Sequence, residues 1–371
     1  MVWNPLHGCR VHSHALPSPI PPHPCPWRRW AARLVSQRFS AHRREAVVGR
    51  SQRWHLDILN SPSRVKIFYS DHFVLPLPPG HRFPMKKYRL LREAVSVAGR
   101  GEWAELEVPE AVDDRTLLRV HTPEYLDAVT SGRLSARDQR AIGFPWSPGL
   151  VERSRRSVGG TLSAARAALE DGAAANLAGG THHAFADRGQ GFCVFNDVAV
   201  AARDHLERGS AAHLAVLDLD VHQGNGTAAI FHSDPRVFTA SVHGERNFPF
   251  RKEESDLDLP LPDGTEDEPY LEAVGQALEA TLARPLPDLL FYVAGADPYR
   301  GDRLGRLRVS REGLAHRDRS VLEACWNRGV PVAVVMGGGY AEPVGKTVGI
   351  HLHTVESTAR TLVPRSWDQS K

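Results

Sequence analysis

The sequence predicts an α/β fold built on a mainly parallel sheet with helices on both faces. Three observations predict it. From Arg64 onward, short runs rich in Val, Ile and Leu alternate with helix-length amphipathic segments, the pattern of strands joined by crossover helices. The polar clusters of the chain follow directly on those runs, and the loops at the carboxyl ends of parallel strands are where ligands bind. No internal repeat or low-complexity linker interrupts the chain after residue 64, so residues 64–365 are expected to form one domain, with a short tail at 366–371.

Residues 1–63 stand outside this pattern. The first 60 hold seven prolines, six histidines and nine Arg against two acids, Glu45 and Asp57, a charge of +7 that leaves the remaining 311 residues at −4. The Pro-dense stretch from Pro17 to Pro26 cannot hold a helix or a central strand, so a disordered or weakly structured extension is expected. Three readings stand open: a bland one, an unstructured extension or a start codon assigned too early; an Arg-rich, acid-poor organellar transit peptide; or a nucleic-acid-binding arm. From Val65 to Tyr69 the first strand is expected, with a helix over Met85–Val97 behind it. A run near Ala175–Ala178 comes next. The run from Leu214 to Leu217 precedes a helix near Ala228, Leu289–Val293 precedes a helix over Arg311–Trp326, and Val330–Met336 closes the series.

Composition narrows the class further. Of 371 residues, 42% are hydrophobic and 24% charged, as in soluble globular proteins, and no apolar run is long enough to cross a bilayer. The four cysteines, at 9, 25, 193 and 325, form no CxxC pair and have no even spacing, so neither a thiolate zinc finger nor a disulfide framework is suggested and a reducing compartment fits best. The expected location is cytoplasmic, or organellar if residues 1–60 are a transit peptide.

The polar clusters carry the chemistry. Asp218, Asp220 and His222 lie two apart, so an extended backbone puts them on one face, and an apolar strand ending in two acids and an imidazole is costly unless they are paired or hold a metal. Read alone, they are equally ordinary polar loop residues. Asp297 follows another apolar run; a lone Asp there is more often a helix cap, but beside Asp220 and His222 it completes a set of three protein ligands. Such a set leaves an open zinc position for water or substrate. His182 and His183 follow Gly179–Gly180 and suit proton transfer or a surface pair. Tyr340, after three glycines, suits an oxyanion donor or a core aromatic.

In combination, GGTHHAF, DRGQGFCVFNDVAVA, LDLDVHQGNG, AGADPYRGDRLG and GGGY resemble the histone deacetylase family and its bacterial relatives, over about Val65 to Leu362. HQGNG and GDRLGRLRVSREGLAHRD resemble its class IV branch. The resemblance implies a three-layer arginase/deacetylase fold with a central, mostly parallel sheet of about eight strands. It implies one zinc per site, held by Asp220, His222 and Asp297, with His183 as general base and acid, His182 as its electrostatic partner and Tyr340 polarising the acyl carbonyl. Asp218 is then oriented toward His182, and Gly191 and Phe192 line an acyl-lysine tunnel. A potassium ion is implied at Asp218, Asp220, His222, Ser241 and Val242. Where many relatives place a carboxylate behind the catalytic histidine, this chain has Asn225, which orients the ring without offsetting an imidazolium, so a less basic His183 is expected.

Two rivals are weighed. A two-manganese, arginase-like hydrolase wants further carboxylates after these motifs, where Gln223, Gly224, Tyr299 and Arg300 stand. A catalytically silent acyl-lysine-binding module has no need of the complete set of histidines, ligands and phenol. Expected partners are an acylated protein lysine or a small acylated amine such as an acetylpolyamine; neither a membrane nor direct nucleic-acid binding by the catalytic domain is expected.

Overall fold

The computed structural model describes residues 64–99, 102–283 and 285–362; the expectations for the extension at 1–63 and for the tail lie outside the described residues. Eight strands form one sheet: β1 (Val65–Phe68), β2 (Ala104–Glu107), β3 (Ala173–Asn176), β4 (Leu214–Asp218), β5 (Val237–Gly244), β6 (Leu257–Leu261), β7 (Leu289–Val293) and β8 (Val332–Val335). Their order is β2-β1-β3-β8-β7-β4-β5-β6, and every pairing is parallel. Ten helices accompany them among the described residues: α1 (Lys87–Gly99), α2 (Asp114–Leu117), α3 (Pro123–Thr130), α4 (Ala136–Ile142), α5 (Pro148–Asp171), α6 (Asp197–Arg208), α7 (Asn225–Phe231), α8 (Asp267–Thr281), α9 (Arg311–Arg328) and α10 (Gly345–Leu362).

The period of two along each strand sorts the core into two layers. Leu290 and Tyr292 of β7 face one side with Leu91 of α1, Val274 of α8, Val321 of α9 and Val355 of α10. Leu289, Phe291 and Val293 face the other with Leu162 of α5 and Val198 of α6. All five β7 side chains are fully buried, each contributing up to about 1.5–3 kcal/mol, which is why this strand reads as an unbroken apolar run.

Helix ends follow local chemistry. The Ser147 hydroxyl accepts from the Leu150 N–H, Pro148 fits the first turn, and Gly172 caps the end of α5 at φ 94°. The first helix begins at Lys87 rather than Met85. The third strand runs two residues earlier than the sequence predicts: the Asn176 side chain turns back to accept from the Ala178 N–H at 3.1 Å, which ends pairing and starts the loop to Gly179. What the fold supplies to a site is the row β3-β8-β7-β4 at the sheet's centre, whose carboxyl ends carry the four polar clusters side by side.

Candidate active site

Pairing of β4 stops at Asp218, so Asp220 and His222 stand in the following loop rather than on an extended strand. Their common orientation is kept by side-chain turns. Asp218 Oδ1 accepts from the Asp220 N–H at 3.1 Å and Asp220 Oδ1 from the His222 N–H at 2.9 Å, the turn-forming habit of Asp, while Leu219 and Val221 are buried on the opposite side. From β7, Asp297 reaches the same point, its Oδ1 accepting from the Val221 N–H at 3.0 Å. The potential ligand atoms of Asp220, His222 and Asp297 lie within 4.8 Å of one another, and all three residues are buried.

This trio fits a divalent cation. His222 Nδ1 stands 3.0 Å from Asp220 Oδ1 and 3.1 Å from Asp297 Oδ2. Burial disfavours charge on the imidazole, yet the two carboxylates hold it up at about 10. Burial, and then the charge of Asp220, push the Asp297 carboxyl up to about 7. A buried pair of acids thus draws a proton onto the base between them, and a metal ion held by Asp220, His222 and Asp297 would supply that positive charge in the proton's place. Oxygen and imidazole donors suit zinc and its neighbours.

Two histidines flank the trio from the loop after β3. His182 Nδ1–H donates to Asp218 Oδ2 at 2.6 Å; against burial, Asp218 and then Asp220 hold this imidazole at about 9. His183 Nδ1–H donates to Asn225 Oδ1 at 2.9 Å, with its ring 4.1 Å from that of His182 and 6.0 Å from that of His222. Burial, then the charges of His182 and His222, set His183 well below its ordinary value. It is neutral, and with Nδ1 protonated toward Asn225 its Nε2 is free to accept. The loop is fastened to α6 by Asp197, which accepts from the Gly180 and Thr181 N–H groups at 2.9 and 2.7 Å.

Tyr340 closes the opposite side, its ring 6.3 Å from that of His222. Burial, and then the negative charge of Asp297 and Asp220, raise its phenol well above the usual value, so it stays a donor. The turn before it needs glycine: a Cβ on Gly338 would stand 1.9 Å from Asp297 Oδ2, and the Gly338 N–H donates to Asp220 Oδ2 at 2.6 Å. Two groups that sequence reasoning missed hold this turn. Lys87 Nζ donates to the Gly337 and Gly339 carbonyls, both at 3.4 Å, and Asp302 Oδ2 accepts from the Tyr340 N–H at 2.6 Å. Lys87 had a legible signal: with Leu91, Val95 and Gly99 it occupies the buried stripe of α1.

A cavity of about 500 Å³ leads from His183, His222 and Tyr340 past Gly191, Phe192 and Phe248 to the surface. A Cβ on Gly191 would stand 2.6 Å from His183 Cδ2 and 3.0 Å from Phe248 Cε1, so only glycine leaves the passage open. Phe192, at φ 67°, is the one non-glycine residue in the left-handed region among the described residues. That strain, about 1–3 kcal/mol, is sustained by the Phe192 N–H donating to the Ile142 carbonyl and the adjacent Gly191 N–H to the Ala141 carbonyl, and by ring contacts with Phe83 at 5.1 Å and Phe144 at 5.3 Å. Phe248, 5.0 Å from the His183 ring, faces this passage, and the sequence offered no signal for it beyond an aromatic residue after a strand. Beneath the trio, β5 pairs Ser241 with Asp218; the Ser241 hydroxyl bonds His243 Nδ1 at 2.9 Å, and Val242 is buried beside it.

A parallel α/β sheet bearing a buried Asp–His–Asp set, two histidines and a phenol at one cavity defines a candidate metal-assisted hydrolase. Comparison with known proteins makes the class specific. The model of the histone deacetylase domain matches residues 81–355, and the chain belongs to the histone deacetylase family. An uncharacterized protein of Picosynechococcus sp. is 48% identical over 77% of this chain and 95% of its own length. Histone deacetylase 2 of Arabidopsis thaliana is 30% identical over 86% of this chain and 89% of its own, and the histone deacetylase-like amidohydrolase of Pseudomonas aeruginosa is 30% identical over 78% and 80%. The fold matches the crystal structure of a histone deacetylase homologue from Aquifex aeolicus with a TM-score of 0.68 at 23% identity, over 80% of this chain and 84% of that one.

Proposed function

We propose that this deacetylase-family hydrolase cleaves the amide of an acylated amine, acetyl- or longer acyl-lysine, with one zinc ion held by Asp220, His222 and Asp297. The observation that carries the reading is the position of His183: a neutral base, its Nδ1 held at 2.9 Å by Asn225, beside the trio at the inner end of an apolar passage. When bound, zinc polarises the acyl carbonyl and lowers the pKa of water toward neutrality. His183 accepts the proton of the attacking water at Nε2 and delivers it to the leaving amine. The charged His182, fixed by Asp218, keeps His183 from retaining that proton. Tyr340 donates its phenolic hydrogen to the oxygen that becomes negative, and Gly191, Phe192 and Phe248 grip the acyl-bearing stem.

Lysine acetyl and longer acyl groups present the same amide at the end of a narrow apolar stem, as do acetylpolyamines and small acetylated amines. A class IV affiliation and a potassium ion at Asp218, Asp220, His222, Ser241 and Val242 belong to the same reading. Its test is release of acyl groups from lysine peptides of increasing chain length and from acetylpolyamines by the zinc-loaded protein. His183→Ala is expected to lower kcat by ~10²–10⁴-fold and Tyr340→Phe by ~10²–10³-fold. Activity that survives both substitutions unchanged refutes the mechanism; peptide binding without any turnover favours a silent acyl-lysine-binding module.

A further inference from the structure

The charge around the opening extends the proposed deacylase reading to the substrate, and rests on it. The cavity reaches the surface through a rim carrying Arg82, Arg140, Arg246, Arg303 and Arg306, and no Asp or Glu lines it. All five are exposed, and they come from four separate segments: the approach to α1, helix α4, the loop after β5 and the loop after β7. Arg303 is paired with Glu342 and Arg306 with Asp263, each at 3.0 Å. Arg82, Arg140 and Arg246 have no ion pair or side-chain hydrogen bond among the described residues.

Exposed guanidinium groups need no partner, since water solvates them. The informative fact is the single sign. Beyond residue 60 the chain carries an excess of acids, at −4, yet every charged side chain lining this opening is an arginine: Arg303 and Arg306 are each offset by an acid just outside the lining, and Arg82, Arg140 and Arg246 keep their charge uncompensated among the described residues. Like charges set around a cleft repel one another and add nothing to folding, whereas they focus an attractive field for an anion entering it. Arginine also pairs carboxylates in two-point geometry.

We infer that the acylated amine is a lysine flanked by aspartate or glutamate residues in an acidic segment of a protein. Arginines on several sides of one opening match a chain that runs past the mouth in both directions, with carboxylates before and after the acyl-lysine. A small anion engages one side alone. Phe250, 86% exposed on the same rim, offers an apolar surface for such a chain. Acetylpolyamines and lysine-rich tails bring cationic groups to a cationic rim and are disfavoured.

The test compares acetyl-lysine peptides that differ only in their flanks, Glu/Asp against Lys, using the full-length zinc-loaded protein. The acidic peptide is expected to show a kcat/KM ~10-fold higher, carried mainly by KM, the summed effect of several exposed pairs each worth a few-fold at most. The ratio is expected to shrink toward one as salt rises to about 1 M, a readout that needs no variant. Arg82→Gln, Arg140→Gln and Arg246→Gln together should collapse the ratio measured within that one protein. A ratio near one, a preference for the Lys-flanked peptide or an acetylpolyamine, or a preference that persists in the triple variant overturns the inference. Better cleavage of a small acetylated dicarboxylate than of the acidic peptide overturns the assignment to a protein segment. Fluorescence anisotropy of the same peptides separates the two levels: preferential binding of the acidic peptide without turnover refutes the deacylase reading while upholding the charge preference.

Discussion

At the scale of single residues, the proposed mechanism makes Asn225 the group that sets the working range of His183. An amide oxygen orients the ring at 2.9 Å but carries no charge to stabilise an imidazolium, and burial already holds His183 well below its ordinary value. A carboxylate at this position favours the protonated form. Because the proposed base, His183, would act only when neutral, raising its pKa moves the acidic limb of the pH–rate profile to higher pH. Asn225→Asp is expected to show that shift in kcat/KM; a limb that stays put or moves down contradicts the assignment of His183 as base. The side chains that meet at the candidate site were largely legible from the chain, because potential metal donors, adjacent histidines and a tyrosine after three glycines are rare at the ends of apolar runs. Phe248 and Asp302 were not. Their parts in the site depend on loops meeting in space, and neither a phenylalanine in NFPF nor an aspartate in GDRLG declares a neighbour far along the chain, Tyr340 for Asp302 and His183 for Phe248.

At the scale of elements, the loop carrying His182 and His183 owes its position to the first residue of α6. Asp197 is fully buried and its two oxygens accept from Gly180, Thr181 and the Thr161 hydroxyl. Asp197→Asn turns one acceptor into a donor facing other donors and removes the charge from several charge-assisted bonds. A loss of ~2–3 kcal/mol and a fall in Tm of several degrees are expected by thermal unfolding, whereas Asp187→Asn, on the exposed side of the same loop, should leave Tm within about a degree. Equal Tm values for the two variants would contradict the anchoring role. Central strands were readable because both faces are buried: β7 and β8 are continuous apolar runs. The two edge strands were not. The alternating charges of β2, AELE, and Pro260 within β6, LDLPL, suit a half-covered edge, and they conceal the strands from a search for apolar runs. Thr239, Ser241 and His243 did the same for β5.

At the scale of the whole molecule, the loops that carry Asp220 and Asp297 are tied together from below by one buried cation. Arg317 of α9 is fully buried, donates to the Gly295 carbonyl at 2.6 Å and the Leu219 carbonyl at 3.4 Å, and pairs with Asp318 at 2.8 Å. Gly295 and Leu219 lie two and one residues before Asp297 and Asp220, so the same guanidinium serves both halves of the candidate metal set. Arg317→Met leaves Asp318 to the Tyr292 and Thr354 hydroxyls and is expected to cost ~3–5 kcal/mol, lowering Tm by on the order of 10 °C and weakening metal binding at temperatures where the variant is folded. An unchanged Tm and metal affinity would show that the loops hold themselves. The central claim, that one ion held by Asp220, His222 and Asp297 makes the site a deacylase, is tested most directly by titrating zinc into metal-free protein. Acetyl-lysine peptide hydrolysis is followed in the wild type and in Asp297→Asn. Activity is expected to rise from background to a plateau at one zinc per chain, with Asp297→Asn needing far more metal and reaching a much lower plateau. Full activity without metal, a plateau at two ions per chain, or an Asp297→Asn titration that overlays the wild type would contradict it.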